Sequence, residues 1–112
     1  MSSASPHGPE LAPAPVFAAL GDPTRLSLLR TLSDGQTRSI SALAADSRLT
    51  RQAVTKHLQV LERAGLVSSI RRGRESRFAF EPEPVVAARS YLDQVSAQWD
   101  DALSRLRAFV ET

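Results

Sequence analysis

The chain has 112 residues, 42% of them hydrophobic, and its 14 Lys and Arg against 12 Asp and Glu give a formal net charge of +2. This length and composition suit one compact domain, or two subunits that share a core, and exclude a chain that is disordered throughout. The absence of cysteine excludes disulfides, thiolate metal sites and thiol redox sensors. No apolar run approaches the roughly 18 residues of a membrane span and no secretory leader is recognisable, so we expect a cytoplasmic protein with no membrane partner.

The basic residues are concentrated in the middle of the chain. Residues 1–47 have a net charge of −1, residues 48–77 have eight basic residues and a net charge of +6, and residues 81–112 have a net charge of −3. A basic block between neutral or acidic arms is typical of a surface that binds a polyanion. The alternative is a solvated charged face, but the block coincides with a capped helix and a hairpin, which favours a nucleic-acid footprint.

The start of the chain is rich in Ser and Pro and shows little hydrophobic periodicity. We expect a flexible tail over residues 1–14 and a folded domain over residues 15–112. The domain begins with a short amphipathic helix that includes residues 16–20 and ends at Gly21.

The second helix is marked at both ends. The Asp22 carboxylate is expected to cap it and Pro23 to occupy its first position, where a missing N–H costs nothing. The helix should end at Gly35. Its expected buried face consists of Leu26, Leu28, Leu29 and Leu32.

A third, short helix follows. Ser41 is its expected N-cap, and Ile40 lies just before that cap. Leu43 and Ala44 would face inward, and the helix would end near Asp46.

The fourth helix is the most informative stretch of the chain. After a turn at residues 47–49, Thr50 is the expected N-cap, and Gly65 is the expected left-handed residue beyond the C-terminus. The apolar residues at helical spacing between them are Val54, Leu58 and Leu61. The other side of the helix is rich in hydrogen-bond donors and carries Arg51, Gln52, Thr55, Lys56 and Gln59. Two helices joined by a short turn, the second longer and more basic, indicate a helix-turn-helix that reads DNA; a plain helical hairpin is the alternative.

Beyond that helix the hydrophobic period changes to two. Residues 67–71 and 76–80 are predicted strands, and the connection between them contains Gly73, which indicates a β-hairpin. Phe78 and Phe80 would share the face that covers the core. An arginine-rich hairpin after a recognition helix is a wing, placed to touch phosphate or enter a minor groove; the alternative is a solubilising edge hairpin. The wing candidates for DNA contact are Arg71, Arg72, Arg74 and Arg77.

Pro82 and Pro84 end the second strand and start a final long helix that reaches nearly to Thr112. Its apolar residues recur at spacings of three and four, a heptad-like seam that one winged domain does not need for its own core. We expect this helix to pair with its copy in a second chain, which would present two recognition helices to a pseudo-palindromic site. Trp99 could instead line a ligand pocket. The expected dimer interface consists of Val16, Phe17, Leu20, Leu92, Val95, Trp99, Leu103, Leu106 and Phe109.

Two motifs carry a family resemblance: Leu-Gly-Asp-Pro-Thr-Arg at residues 20–25 and Thr-Lys-His-Leu-Gln-Val-Leu-Glu-Arg-Ala-Gly-Leu-Val at residues 55–67. Over residues 16–110 the chain resembles the ArsR/SmtB-type (arsenic-repressor-like) winged helix-turn-helix transcriptional regulators. The resemblance implies a mainly α fold with about five helices and a two-stranded wing, dimerised through the terminal helices. It also implies a homodimeric DNA-binding repressor, often one that controls its own operon.

The chain departs from the metal-responsive members of this family. Those members use a cysteine cluster near the first helix of the helix-turn-helix, or Asp, His and Glu ligands on the last helix. Here the only histidines are His7 and His57, and the last helix offers carboxylates without a nitrogen ligand. We therefore expect a cysteine-free branch of the family with no metal and no cofactor. A repressor that responds to a small-molecule effector of unknown identity is an alternative.

The recognition helix should supply most DNA contacts. Arg51 or Gln52 would read base edges, and Thr55 and Lys56 would bridge base edges and phosphates. His57 is either a phosphate contact or a packed histidine at the junction of helix and wing. The full expected DNA-binding set is Ser39, Ser41, Arg48, Thr50, Arg51, Gln52, Thr55, Lys56, His57, Gln59, Arg71, Arg72, Arg74 and Arg77.

The rival function from a different class is a winged-helix module whose basic block contacts an acidic protein partner. Binding that ignores DNA and survives high salt would distinguish it. We do not expect an enzyme, because the sequence holds no glycine-rich phosphate loop and no nucleophile paired with a base.

Overall fold

Prolines, glycines and capping residues divide residues 13–111 into five helices and three strands. The computed structural model describes residues 13–111, so most of the expected tail, residues 1–12, lies outside the described part. The helices are α1 (Pro13–Leu20), α2 (Pro23–Leu32), α3 (Ile40–Ser47), α4 (Arg51–Arg63) and α5 (Glu83–Glu111). The strands are β1 (Arg38–Ser39), β2 (Val67–Arg72) and β3 (Glu75–Phe80). The expected mainly α fold with a β-hairpin is confirmed, and α1 begins at Pro13, inside the expected tail.

The hairpin belongs to a three-stranded antiparallel sheet in the order β1-β3-β2. Its two long strands pair along their whole length, from Val67 opposite Phe80 to Arg72 opposite Glu75. On the other side of β3, Arg38 of β1 lies opposite Phe78. The hairpin itself is confirmed, whereas β1 is an addition to the prediction. A strand of two residues shows no alternation, and its partner is far away in the sequence.

The core forms where α2, α3 and α4 meet the sheet. Val54, Leu58 and Leu61 of α4 are fully buried, as predicted. Phe78 is buried beside them, and Phe80 packs against the same core. Further buried apolar side chains are Val16, Ala19, Leu28, Leu29, Leu32, Leu43, Ala44, Leu66, Val67 and Ala88. One face of α4 is therefore held in the core, and the opposite face is left to solvent.

The expectation that Leu26 is buried was wrong, since its side chain is 44% exposed. At 3.6 residues per turn, Leu26 lies more than about 100° from the middle of the stripe formed by Leu28, Leu29 and Leu32. The same arithmetic places Arg25 near the middle of that stripe. The helix also ends at Leu32, before the expected stop at Gly35.

The N-cap of α3 is Ser39 rather than Ser41, so that prediction was also wrong. Ser39 has an extended backbone (φ −79°, ψ 163°), and its hydroxyl oxygen accepts from the Ala42 N–H at 3.1 Å. Ile40 is already helical, which leaves Ser41 inside the first turn. Ser39 ends β1 as well as capping α3, and a sequence pattern for a cap does not reveal that strand.

The predicted caps of α4 are confirmed. The Thr50 hydroxyl oxygen accepts from the Ala53 N–H at 3.0 Å. At the other end Gly65 has φ +78° and donates to the Glu62 carbonyl at 2.9 Å. The Leu66 N–H reaches the Leu61 carbonyl, also at 2.9 Å. These two bonds form the Schellman motif, which stops the helix and turns the chain into β2.

The last helix, α5, has 29 residues and follows the predicted start at Pro82 and Pro84. Its first third packs on the core through Ala88, but its later apolar residues are exposed, with Trp99 64% and Phe109 79% accessible. Among the described residues, no helix combines the length and apolar character that crossing a membrane requires. Within one chain, most of the heptad-like seam therefore lacks a covering surface.

Replacing Gly65 with Ala should destabilise the fold by about 1–2 kcal/mol, because a Cβ disfavours the left-handed conformation. Space is not the limit, since the added Cβ would meet Cγ of Pro84 at 3.5 Å. Urea unfolding followed by circular dichroism measures the change. Gly65→Asn is the matched control and should lose less, because Asn tolerates this conformation better. Equal losses for the two variants would contradict the assignment.

Candidate nucleic-acid interface

The exposed face of α4 is polar and basic. Arg51, Gln52, Lys56 and Gln59 are all exposed, and none of their side chains makes a hydrogen bond within residues 13–111. Together with Thr55 they line a shallow groove closed on one side by Ile40 at the start of α3. These side chains leave hydrogen-bond donors free on the solvent side of α4, away from the buried face of Val54, Leu58 and Leu61, as the sequence predicts.

Two threonines of the expected DNA-binding set are partly committed to α4 itself. The Thr50 oxygen is used as the N-cap. The Thr55 hydroxyl donates to the Arg51 carbonyl at 2.7 Å, so its proton is not free to reach a phosphate. What Thr55 still offers is a hydroxyl lone pair and a methyl group, which suit a base edge better than a phosphate.

A second groove connects α3, α4 and the hairpin. It is lined by Ser39, Ile40, Ser41, Arg51, Arg74, Glu75 and Ser76. Ser41 is exposed at this surface, whereas Ser39 is only 8% exposed and serves as the α3 cap. The structure therefore brings the starts of both helices together with the tip of the wing, and it gives Ser39 a structural role.

The wing tip is a two-residue turn. Gly73 occupies its first central position with φ +62°, which the II′ turn of a tight hairpin requires. Arg71, Arg72 and Arg74 are exposed around it, and the Arg71 Nε donates only to the nearby Gly73 carbonyl at 3.3 Å. These three cations lie at the end of the hairpin and are available to an anionic partner. Arg48, also exposed, ends α3 in the left-handed region at φ +61°.

Arg77 was expected at the DNA surface, but its side chain faces the protein. Its Nε donates to the Thr37 hydroxyl and its Nη2 to the Thr37 carbonyl, both at 3.0 Å. Its Nη1 pairs with Glu75 at 3.1 Å. Arg77 thus ties β3 to the loop before β1, a role that depends on the strand the sequence did not predict.

The same loop is held by an ion pair. Arg38 donates to Asp34 at 2.7 and 3.0 Å and to the Thr31 carbonyl at 2.8 Å. The Arg38 side chain holds the pKa of Asp34 at about 2, below its usual range. The carboxylate is therefore charged at neutral pH, and it keeps Arg38 on the protein rather than on a ligand.

His57 lies on the side of α4 that faces the start of α2, not at the helix–wing junction. Its Nδ1 is 3.4 Å from Nη1 of Arg25 and 3.9 Å from Oδ2 of Asp22, and the side chain is 25% exposed. The Asp22 carboxylate caps α2, and the Arg25 backbone N–H that it accepts lowers the pKa of Asp22, helped by the nearby charge of Arg25. His57 is thus partly packed, at the junction of α2 and α4 rather than beside the wing.

Arg25 is the residue that sequence reasoning missed at this junction. Its Nε donates to the Ala19 carbonyl at 2.7 Å and its Nη2 to the Ala18 carbonyl at 3.3 Å. A usable signal was present in the sequence, because an arginine in the middle of a leucine stripe must find partners inside the protein.

The expected dimer residues fall into two groups. Val16 is only 6% exposed and belongs to the core of its own chain, while Phe17 and Leu20 pack against the edge of that core. The Phe17 ring contacts Tyr91 of α5, with centroids 6.2 Å apart. The α5 residues other than the half-buried Val95 are exposed, namely Leu92, Trp99, Leu103, Leu106 and Phe109. Within residues 13–111 no three His, Asp or Glu side chains come together as a metal site would require.

A capped basic helix on a helix-turn-helix, followed by an arginine-tipped hairpin, defines a winged helix-turn-helix DNA-binding protein. Residues 20–70 match the family described as a helix-turn-helix domain. The chain belongs to the ArsR-type helix-turn-helix regulators, and it is a DNA-binding transcription regulator.

Individual relatives support this assignment. The uncharacterized HTH-type transcriptional regulator YuzN of Bacillus subtilis is 42% identical over 76 residues, which cover 62% of this chain and 83% of YuzN. An ArsR-like transcriptional regulator from Rhodococcus sp. RHA1 has 36% identity and a TM-score of 0.78, over 91% of this chain and 95% of that one. The homodimeric winged helix-turn-helix DNA-binding domain of a possible ArsR-family regulator from Mycobacterium bovis has 28% identity and a TM-score of 0.64, over 88% and 90%.

The two arginines of β3 and its turn should behave differently when each is replaced by Gln. Arg74→Gln should weaken binding to all DNA sequences and leave the free energy of unfolding within about 0.5 kcal/mol, because the side chain is exposed and makes no hydrogen bond within residues 13–111. Arg77→Gln should instead cost about 1 kcal/mol of stability through its lost hydrogen bonds. Fluorescence anisotropy with labelled duplexes and urea unfolding measure the two effects. If Arg77→Gln lost DNA affinity and Arg74→Gln lost stability instead, Arg77 rather than Arg74 would face the DNA.

Proposed function

We propose that the protein is a homodimeric repressor that acts in the cytoplasm on a pseudo-palindromic operator, including one upstream of its own gene. The observation that carries this proposal is the free, donor-rich face of α4 beside the free arginines of the wing. Both lie on a chain whose last helix exposes an apolar seam. No catalytic activity is part of the proposal, since its relatives are transcription regulators.

The exposed seam of α5 supports a symmetric dimer. An exposed apolar face of this length is a liability for a soluble monomer and is normally covered by a partner. The related Mycobacterium bovis domain is a homodimer. Because α1 contacts α5 through Phe17 and Tyr91, we include α1 at the edge of the interface. Two-fold symmetry would place two copies of α4 on one side of the DNA, about one helical turn apart.

Within each half-site we assign different tasks to the free side chains. Gln52 and Arg51, in the first turn of α4, are proposed to reach base edges, since the N-terminal part of a recognition helix enters the major groove. Lys56 is proposed to hold a phosphate. The wing arginines and Ser41 would contact the flanking backbone. We leave Ser39 and Arg77 out of this surface, because both are bonded within the protein.

Measuring DNA binding over a range of salt concentrations also tests two other functions. A protein-contact module would bind without regard to DNA and retain its affinity in high salt. A repressor that responds to a small molecule would lose operator affinity when the effector is added. DNA binding that is tight, sequence-dependent and salt-sensitive favours the proposed repressor over the protein-contact module.

The test is binding of the purified protein to its own upstream DNA over a salt series, followed by footprinting. The proposal expects a protected site with two-fold symmetry and a steep loss of affinity with salt. Lys56→Ala should weaken binding to all duplexes and lower the salt slope by about one. Gln52→Ala should relax the preference at one base position, by about 1–3 kcal/mol. The same change for both variants on operator and random duplexes would reject this division of tasks.

The dimer can be tested with a charge placed in the seam. Leu106→Glu should convert the dimer to monomer in sedimentation equilibrium and reduce operator affinity at least tenfold, because two carboxylates would meet in an apolar interface. Ser104→Glu introduces the same charge on an exposed, neighbouring position of α5 and should leave the dimer intact. A Leu106→Glu protein that remains dimeric would place the interface elsewhere.

A further inference from the structure

Arg25 joins three helices although it does not belong to the DNA surface. Its guanidinium donates to the carbonyls of Ala19 at 2.7 Å and Ala18 at 3.3 Å, both in the last turn of α1. From its own position in the first turn of α2 it also lies 3.4 Å from Nδ1 of His57, in the middle of α4. One planar group therefore holds the end of α1 against the recognition helix.

The chemistry of Arg25 and His57 limits the direction that a hydrogen bond between them can have. Arg remains protonated and only donates, so a hydrogen bond across this 3.4 Å contact requires Nδ1 of His57 to accept. An accepting Nδ1 places the ring proton on Nε2, which has no hydrogen-bond partner among residues 13–111. Asp22 does not compete strongly for the ring, since its Oδ2 is 3.9 Å away and already accepts the Arg25 backbone N–H at 3.0 Å.

The position of α1 matters for DNA binding if the protein is a dimer. α1 contacts α5 through Phe17 and Tyr91, and α5 carries the proposed dimer seam. Because the guanidinium is planar and its donors point in fixed directions, following a displacement of the α1 carbonyls would change its contact with His57. The geometry of the dimer would therefore influence the angle of α4 through the Arg25 side chain, beside the direct packing of α1 on α4.

We infer that Arg25 is a positioning residue for sequence recognition, which acts through His57 to set the orientation of α4 relative to α1. The inference rests on the proposed dimeric function. Base-edge contacts require a defined orientation of α4, whereas phosphate contacts through long cationic side chains tolerate a small rotation. Loss of Arg25 should therefore reduce discrimination between DNA sequences more than it reduces affinity for DNA in general.

The first test compares Arg25→Gln with Arg30→Gln, which removes the same charge from the exposed side of α2. Arg25→Gln should lower the affinity for the operator about fivefold or more relative to random duplex. Arg30→Gln should leave that ratio unchanged. Equal losses on operator and random duplex in Arg25→Gln would overturn the inference, because a general loss of fold or charge acts on both.

The second test uses His57 and keeps the inference falsifiable if Arg25→Gln folds poorly. His57→Gln retains an acceptor for the guanidinium and should preserve the operator preference better than His57→Phe, which has a ring but no acceptor. In a double-mutant cycle, His57→Phe should have little further effect when Arg25 is already Gln. Additive effects of the two replacements would show that the side chains act independently.

Nuclear magnetic resonance separates this inference from the proposed function. Long-range proton–nitrogen spectra of the imidazole should show the Nε2-protonated form in the native protein, and Arg25→Gln should shift the tautomer population and the amide signals along α4. Arg30→Gln should do neither. If the native protein shows no operator preference, the proposed function fails. The link between Arg25 and α4 is then refuted separately if the tautomer and the α4 signals stay unchanged.

Discussion

The amphipathic helix α4 determines how the rest of the structure is arranged. Val54, Leu58 and Leu61 are completely buried and leave this helix no freedom to roll. Because an α-helix has 3.6 residues per turn, burial of these three side chains also determines that Gln52 and Lys56 point away from the core. The packing of α4 on the core thus also determines which of its side chains are presented to DNA. The caps at each end then limit the helix to the length that the core covers.

The sequence predicts well those features that depend on residues close together in the chain. The N-cap of α4, the glycine that ends it and the spacing of its buried residues involve partners within one or two turns, and all three were predicted. The third strand, the cap at Ser39 and the anchoring of Arg77 were not. The third strand and the anchoring of Arg77 depend on pairing between residues far apart in the chain, such as Arg77 with Thr37, which leaves no periodic trace in the sequence. The bond of the Ser39 cap to Ala42 is local, but Ser39 also ends β1 opposite Arg77, and that strand is not visible in the sequence. A local pattern identifies a residue as polar but does not show which distant group it meets.

This difference changes how the basic block should be interpreted. A count of charges treats every arginine between residues 48 and 77 as available for DNA, but Arg77 is bonded to the protein through all three of its nitrogens. The Arg71, Arg72 and Arg74 side chains at the wing tip are exposed to solvent. Since an arginine that already has protein acceptors gains less from a phosphate, the effective footprint is smaller than the net charge suggests. It is concentrated on α4 and the end of the hairpin.

The apolar seam of α5 and the Arg25 contact affect different features of a dimer. Helix α5 would set the distance between the two recognition helices, because it extends beyond the core and its later apolar residues are exposed. The end of α1, held by Arg25, would set the tilt of each recognition helix relative to that axis. A signal that reduced DNA binding could therefore act without breaking the dimer, by moving α1 while the α5 seam stays closed. In that case loss of operator preference and loss of dimerisation would be separate events.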